Sequence, residues 1–104
     1  MDCRVGFYRI FVLFLVLFTV GAAQAGDPQR GRQIYIDHCA GCHGRTGSPT
    51  MAAVPAFSRG EGVMKSDHEL LAFIKRGQGV MPGYDGLLTE MEIRDTLAFI
   101  RTLF

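Results

Sequence analysis

The stretch Cys39-Ala40-Gly41-Cys42-His43 decides how the rest of this chain is read. Two cysteines separated by two residues, with a histidine directly after the second, are the spacing for covalent attachment of a c-type haem. Both thiols can add to the two vinyl groups of one porphyrin only if they leave the backbone on the same side. Two intervening residues within one helical turn achieve that. The adjacent histidine then lies under the ring centre, where its imidazole reaches iron, and small Ala40 and Gly41 keep bulk away from the porphyrin. A CxxC pair can also be a thioredoxin-like redox couple or half of a zinc site. The redox reading wants a preceding strand in a βαβ context, and the zinc reading wants a further ligand pair. The sequence offers neither, having no second CxxC and no HxxxH.

Toward the amino terminus, Met1 to Ala25 read as a secretory signal peptide. Arg4 and Arg9 make a positive start, Ile10 to Val20 an almost purely apolar run, and Ala23-Gln24-Ala25 a small-x-small cleavage pattern before Gly26. The alternative is an uncleaved membrane anchor, but a spanning helix needs roughly 20 apolar residues and this run is shorter. Cys3 would leave with the signal; it also stands too early for a lipoprotein cysteine. Cys39 and Cys42 are then the only cysteines of the mature chain. In an exported protein such a pair can close as a disulfide, but with His43 alongside they are expected to become thioethers.

The remaining segment, Gly26 to Phe104, carries nine basic and nine acidic residues. That balance, with no basic stripe, speaks against nucleic acid as a partner. One domain of this size struggles to bury a sufficient apolar core unaided. A flat, apolar, covalently held cofactor answers the difficulty, so haem is expected to form the core and the apo-chain to fold poorly.

The first mature helix is predicted to start at Asp27-Pro28, an acidic cap followed by proline at the first helical position, and to run through Gly31, Tyr35 and His38 into the haem motif. Gly31, Tyr35 and Cys39 share one face. A glycine inside a helix costs about 1 kcal/mol against alanine, so Gly31 is expected to mark a close helix crossing, with Tyr35 as core. Gly44 to Arg59, rich in Gly, Ser, Thr, Pro and Ala, reads as a loop wrapping one haem edge. Within it Pro55 leaves its carbonyl free to accept the proton on the far nitrogen of His43, although a plain turn explains Pro55 equally well. Ser66 and Glu69 form a capping box, as do Thr89 and Glu92. The helix after Ser66 carries a Leu70, Phe73, Ile74 stripe and stops at Gly77. The last helix buries Ile93, Leu97, Ile100 and Phe104, widened by Phe99 and Leu103, with Phe99 expected in the Gly31 notch. Glu90, Glu92, Arg94, Asp95 and Arg101 are its solvated face. His38 and His68 read as solvated.

Gly77-Gln78-Gly79-Val80-Met81-Pro82-Gly83-Tyr84 is the second candidate site. Its glycines permit tight turns against a planar surface. Pro82 drives Met81 out of helical geometry into an extended one, which would project the thioether inward, opposite His43. Met51 and Met64 lack that framing, and Met91 falls in a first helical turn.

These residues together resemble a class I monohaem cytochrome c of the small bacterial kind. The resemblance rests on Gly31 and Tyr35 before CAGCH, Val54-Pro55 after it, Met81-Pro82 downstream, and Leu97-Ala98-Phe99-Ile100-Arg101 near the end. It implies an all-α fold, a small helical bundle wrapped around one covalent haem, with terminal helices crossing at a glycine–aromatic contact. Residue by residue it implies Cys39 and Cys42 as thioether cysteines, His43 and Met81 as the axial ligands of iron, and Pro55 as the support of His43. Phe99 stands where the family often has tyrosine. The implied function is periplasmic electron carriage by a monomer that meets a dehydrogenase, reductase or terminal oxidase in transient encounters, with no enzyme activity. Arg45, Arg59, Lys75 and Arg76 read first as solvated charges and secondarily as a rim for that encounter. Two other readings stay open: a dedicated haem subunit of a periplasmic dehydrogenase complex, and a haem enzyme or gas sensor with an open iron site, against which Met81 argues.

Overall fold

Helices are the regular elements among the described residues, which in this computed structural model are 3–16 and 25–104. α1 covers Cys3–Val16, α2 Pro28–His38, α3 Ala40–His43, α4 Asp67–Arg76 and α5 Glu90–Ile100, with a short 3-10 turn at Phe57–Arg59. α1 falls within the expected signal segment. The end of its apolar run and residues 23 and 24 of the cleavage pattern lie outside the described residues. No described helix is long and apolar enough to cross a membrane.

Local chemistry sets the helix ends. Asp27 is extended and its carboxylate accepts the N–H groups of Gln29 and Arg30 at 2.9 and 3.4 Å, with Pro28 opening α2. Ser66 and Thr89 each close a reciprocal capping box, with Glu69 and Glu92; such caps are worth about 1 kcal/mol. Gly77 ends α4 at φ 70°, a left-handed conformation that costs glycine little. α2 does not run on into the haem motif as the spacing predicts. It stops at His38, and the N–H groups of Cys42 and His43 both turn to the Cys39 carbonyl, at 3.2 and 3.0 Å, to start α3.

α2 and α5 make the most extensive helix contact, and α4 packs more lightly on α5. Gly31 permits it, but not by accepting Phe99. A side chain on Gly31 would collide with the α5 backbone at Asp95 and Thr96, so the notch holds main chain rather than an aromatic ring. A gap the width of a missing Cβ admits a backbone, whereas a phenyl ring needs a wider groove. Phe99 packs instead one turn along, its ring centroid 5.2 Å from that of Tyr35. Asp95 also departs from the expected solvated face: it is 1% exposed. Its Oδ1 accepts the Asp27 N–H at 2.6 Å and its Oδ2 pairs with Arg30 at 2.9 Å. Burial of a carboxylate is tolerated because both oxygens are partnered.

The core comprises Tyr35, Ala40, Val63, Leu70, Leu71, Ile93, Leu97, Phe99 and Ile100. On α4 the buried edge is Leu70 and Leu71, with Ile74 against it. Phe73 is only half-buried and lies under the Arg76 guanidinium. The face is therefore turned by about one residue position from the predicted stripe. Phe104 lies beyond the end of α5 and is exposed, because the helix stops at Ile100 before that position can turn inward.

Candidate haem-binding site

The CAGCH segment begins at the junction of α2 and α3, and two tyrosine hydroxyls bracket it. Tyr35, fully buried, donates to the Gly44 carbonyl at 2.7 Å on its far side. Tyr84 donates to the His38 carbonyl at 2.8 Å on its near side. Burial, and then the nearby Cys39 sulfur, push the Tyr35 phenol up to about 12, so it remains a neutral donor at ordinary pH. Gly44, at φ 77°, lies against the Ser48 backbone and turns the chain out of α3. Thr50 then folds the loop back, its N–H on the Cys42 carbonyl at 3.0 Å and its hydroxyl on the Gly41 carbonyl at 2.7 Å.

Cys39 and Cys42 are free thiols, the first half-buried and the second exposed. Burial, reinforced by neighbouring Cys42, pushes the Cys39 thiol up to about 11. That is the opposite of the depressed value an attacking redox cysteine needs, and it counts against a thioredoxin-like couple. The described residues hold no cluster of three His, Cys, Asp or Glu side chains, so a zinc site finds no support there.

His43 is 9% exposed and its Nδ1 lies 3.4 Å from the Pro55 carbonyl. A carbonyl only accepts, so this hydrogen bond places the proton on Nδ1 and leaves Nε2 as the lone-pair nitrogen. Burial pulls the imidazole pKa below its ordinary value, and the Pro55 contact partly offsets it; the neutral, ligating form is favoured. Phe57 stacks on the ring at 4.2 Å and 12°. The 3-10 turn at Phe57–Arg59 is what lays Phe57 on the histidine. Glu61 fixes that turn, accepting the Ala56 N–H at 2.8 Å and pairing with Arg59 at 2.9 Å.

Met81 lies half-buried between exposed Val80 and exposed Pro82. Gln78 and Met81 exchange both backbone hydrogen bonds at 3.0 Å, and Gly77 and Gly83 bring the two ends of the loop into backbone contact at its neck. The loop is tied to the CAGCH segment through Tyr84, whose role the sequence did not announce; an amphipathic residue ending a glycine-rich stretch was the only signal. Met51 and Met64 are exposed and stand apart from the core, and Met91 is half-buried in the first turn of α5. His38 and His68 are exposed. Among the described residues Lys75 pairs with Asp85 and Glu90, and Arg59 with Glu61, so two of the four candidate rim charges are already partnered.

The donor set fits a covalent haem. It comprises two thiols, one at a helix junction and one on a helical turn, a buried neutral imidazole with its second nitrogen committed, and a thioether on a tightly necked loop. The family described as cytochrome c oxidase, cbb3-type, subunit III matches residues 26–100. The chain is similar to cytochrome c6 of Thermosynechococcus vestitus, 30% identical over 98 residues that cover 88% of this chain and 82% of that one. It is 31% identical over 97 residues to a cytochrome c6-like protein of Nostoc sp., covering 85% and 81%. It also resembles the cbb3-type cytochrome c oxidase subunit FixPc of Rhizobium leguminosarum, at 29% over 86 residues, which cover 75% of this chain but 28% of that subunit. The helical architecture, the family match and these relatives agree with the resemblance drawn from the motif, and the chain belongs to this family of c-type cytochromes as a small monohaem member with covalently bound haem c and its iron.

Proposed function

We propose that this chain is a periplasmic electron carrier in which Cys39 and Cys42 would hold the haem through thioethers, while His43 and Met81 would be the two ligands of its iron. The observation that carries the reading is the His43–Pro55 contact beside the cysteine pair, which leaves one imidazole nitrogen oriented and free to coordinate. Bound haem supplies one-electron exchange between ferric and ferrous iron. The chain's own residues hold its surroundings constant. Pro55 and Phe57 fix the His43 ring from its edge and its face. The necked 77–83 loop and its Gln78–Met81 bonds restrict the thioether. A soft thioether paired with imidazole favours the ferrous state relative to two histidines. With His43 and Met81 both ligating, the iron would have no place for a substrate, which favours a carrier over an enzyme or gas sensor.

Residues 1–25 act in this reading as an export signal and 26–104 as the haem domain, released as a monomer into the periplasm. The names of the cytochrome c6 relatives support a free carrier. The oxidase-subunit relatives favour a terminal oxidase among the redox partners and lend only partial support to a permanent subunit, since the chain spans under a third of their length.

Visible absorption of protein matured with haem-attachment machinery, alongside Met81→Ala, tests this. A covalent, low-spin haem indifferent to carbon monoxide is expected, with the far-red sulfur-to-iron band lost and carbon monoxide bound in the variant. A wild type that is high-spin and binds carbon monoxide would remove Met81 as a ligand.

A further inference from the structure

We infer that the Tyr84 hydroxyl is a latch that positions Met81, by tying the Met81 loop to the segment that carries the haem cysteines. The inference rests on the reading of Met81 as an axial ligand.

Three observations lead to it. First, the break between α2 and α3 creates an acceptor. The donor that an unbroken helix would send to the His38 carbonyl is the Cys42 N–H, four residues on. That N–H bonds the Cys39 carbonyl instead. Tyr84 fills the vacated position at 2.8 Å across 46 residues of sequence, with its ring edge-on to the His38 imidazole. Second, Tyr84 is itself held. It is 6% exposed. Its N–H bonds the Ile74 carbonyl at 3.0 Å, its carbonyl accepts from Leu87 and Leu88, and the next N–H, of Asp85, bonds the Lys75 carbonyl at 3.1 Å. The hydroxyl therefore links the end of α4 to the end of α2 through a rigid ring. Third, the loop it closes has little else to restrain it from outside: Gln78, Gly79, Val80, Pro82 and Gly83 are all exposed.

Any departure of Met81 requires the loop to swing away from α2, and the Tyr84 bond opposes that swing. A net intramolecular hydrogen bond shifts an opening equilibrium by about two- to tenfold. An external ligand that competes with Met81 binds only the open form, so its apparent affinity reads that equilibrium directly.

The experiment titrates oxidised, haem-loaded protein with imidazole at fixed pH and follows the visible spectrum, with thermal melts in parallel. Tyr84→Phe keeps the ring and removes the donor. It should bind imidazole about two- to tenfold tighter than wild type while haem stays attached. Tyr84→Met, which fills the space without a donor, serves the same comparison should the phenylalanine variant not mature. Tyr35→Phe loses an equivalent buried bond on the other side of the cysteine segment. It should melt earlier without tightening imidazole. Wild-type affinity in the Tyr84 variants, or equal tightening in Tyr35→Phe, overturns the latch. Met81→Ala separates this from the ligand reading. If that variant binds imidazole far more tightly and the Tyr84 variants do not, only the latch falls; if Met81→Ala leaves the affinity unchanged, Met81 is no ligand and the latch falls with it.

Discussion

Gly31 of α2 and Asp95 of α5 meet backbone to backbone, with no side chain between them. The same Asp95 sends its carboxylate past that contact to the Asp27 N–H and Arg30, so one residue of α5 supplies both the close approach and the polar clasp that holds α2 at its start. The crossing matters to the site because α2 leads directly into the cysteine pair, and Tyr35, one turn beyond Gly31, fixes the far side of that segment.

Gly31→Ala gains about 1 kcal/mol of helix propensity but places a methyl group against backbone that cannot yield. Overpacking of this kind costs about 1–3 kcal/mol or more. The haem-loaded variant is expected to melt on the order of 10 °C lower, measured by circular dichroism. An unchanged melting temperature would show that the helices separate without cost.

Asp95→Ala strips the part-buried Asp27 N–H of its acceptor and should cost about 1–3 kcal/mol. Arg30→Ala, at a side chain 63% exposed, removes only a solvent-screened partner and should cost less than about 1 kcal/mol. Urea unfolding of the two variants gives the comparison. Equal losses would make the ion pair, rather than the Asp27 bond, the working part of the clasp.

Acid should loosen the helix starts. The Ser66 hydroxyl and N–H hold Glu69 below its usual value, the Thr89 N–H and hydroxyl hold Glu92 down, and the Ala56 N–H followed by Arg59 holds Glu61 down. A carboxylate whose folded pKa is depressed contributes stability in full above its unfolded pKa and loses it as pH falls through the folded one. Stability should therefore decline from about pH 5 downward. A triple Glu→Gln variant at 61, 69 and 92 should show a shallower decline by thermal melts across that range; an unaltered acid limb would assign it to other groups.

Cys39→Ala with Cys42→Ala removes both attachment points. Without the haem the domain is too small to bury enough apolar surface, and a bound group that favours the folded state is lost. The variant is expected to lose its cooperative transition in circular dichroism, and a sharp native-like melt would refute the idea that the cofactor completes the core.

Much of this architecture was legible in the sequence. Asp27-Pro28, the Ser66–Glu69 and Thr89–Glu92 boxes and Gly77 all lie at the helix ends where the pattern put them. The sequence marks Cys39, Cys42, His43, Pro55 and Met81 as candidates for the site, because attachment spacing and proline-constrained backbone are written in adjacent residues, and the structure adds the contact between His43 and Pro55. Phe57 and Tyr84 were not legible in this way, since each acts on a residue far along the chain.

The sequence by itself determined what depends on neighbours within a turn or two: where α2, α4 and α5 start, where α4 stops at Gly77, which segment can carry a haem, and that Gly31 marks a crossing. Tertiary structure alone decided what fills that crossing, why Asp95 is buried, and which carbonyls Tyr35 and Tyr84 reach. Helical periodicity assigns an aspartate to solvent because an unpartnered buried charge is costly. Its partners come from a helix 68 residues away in sequence, and packing alone brings them within hydrogen-bonding distance.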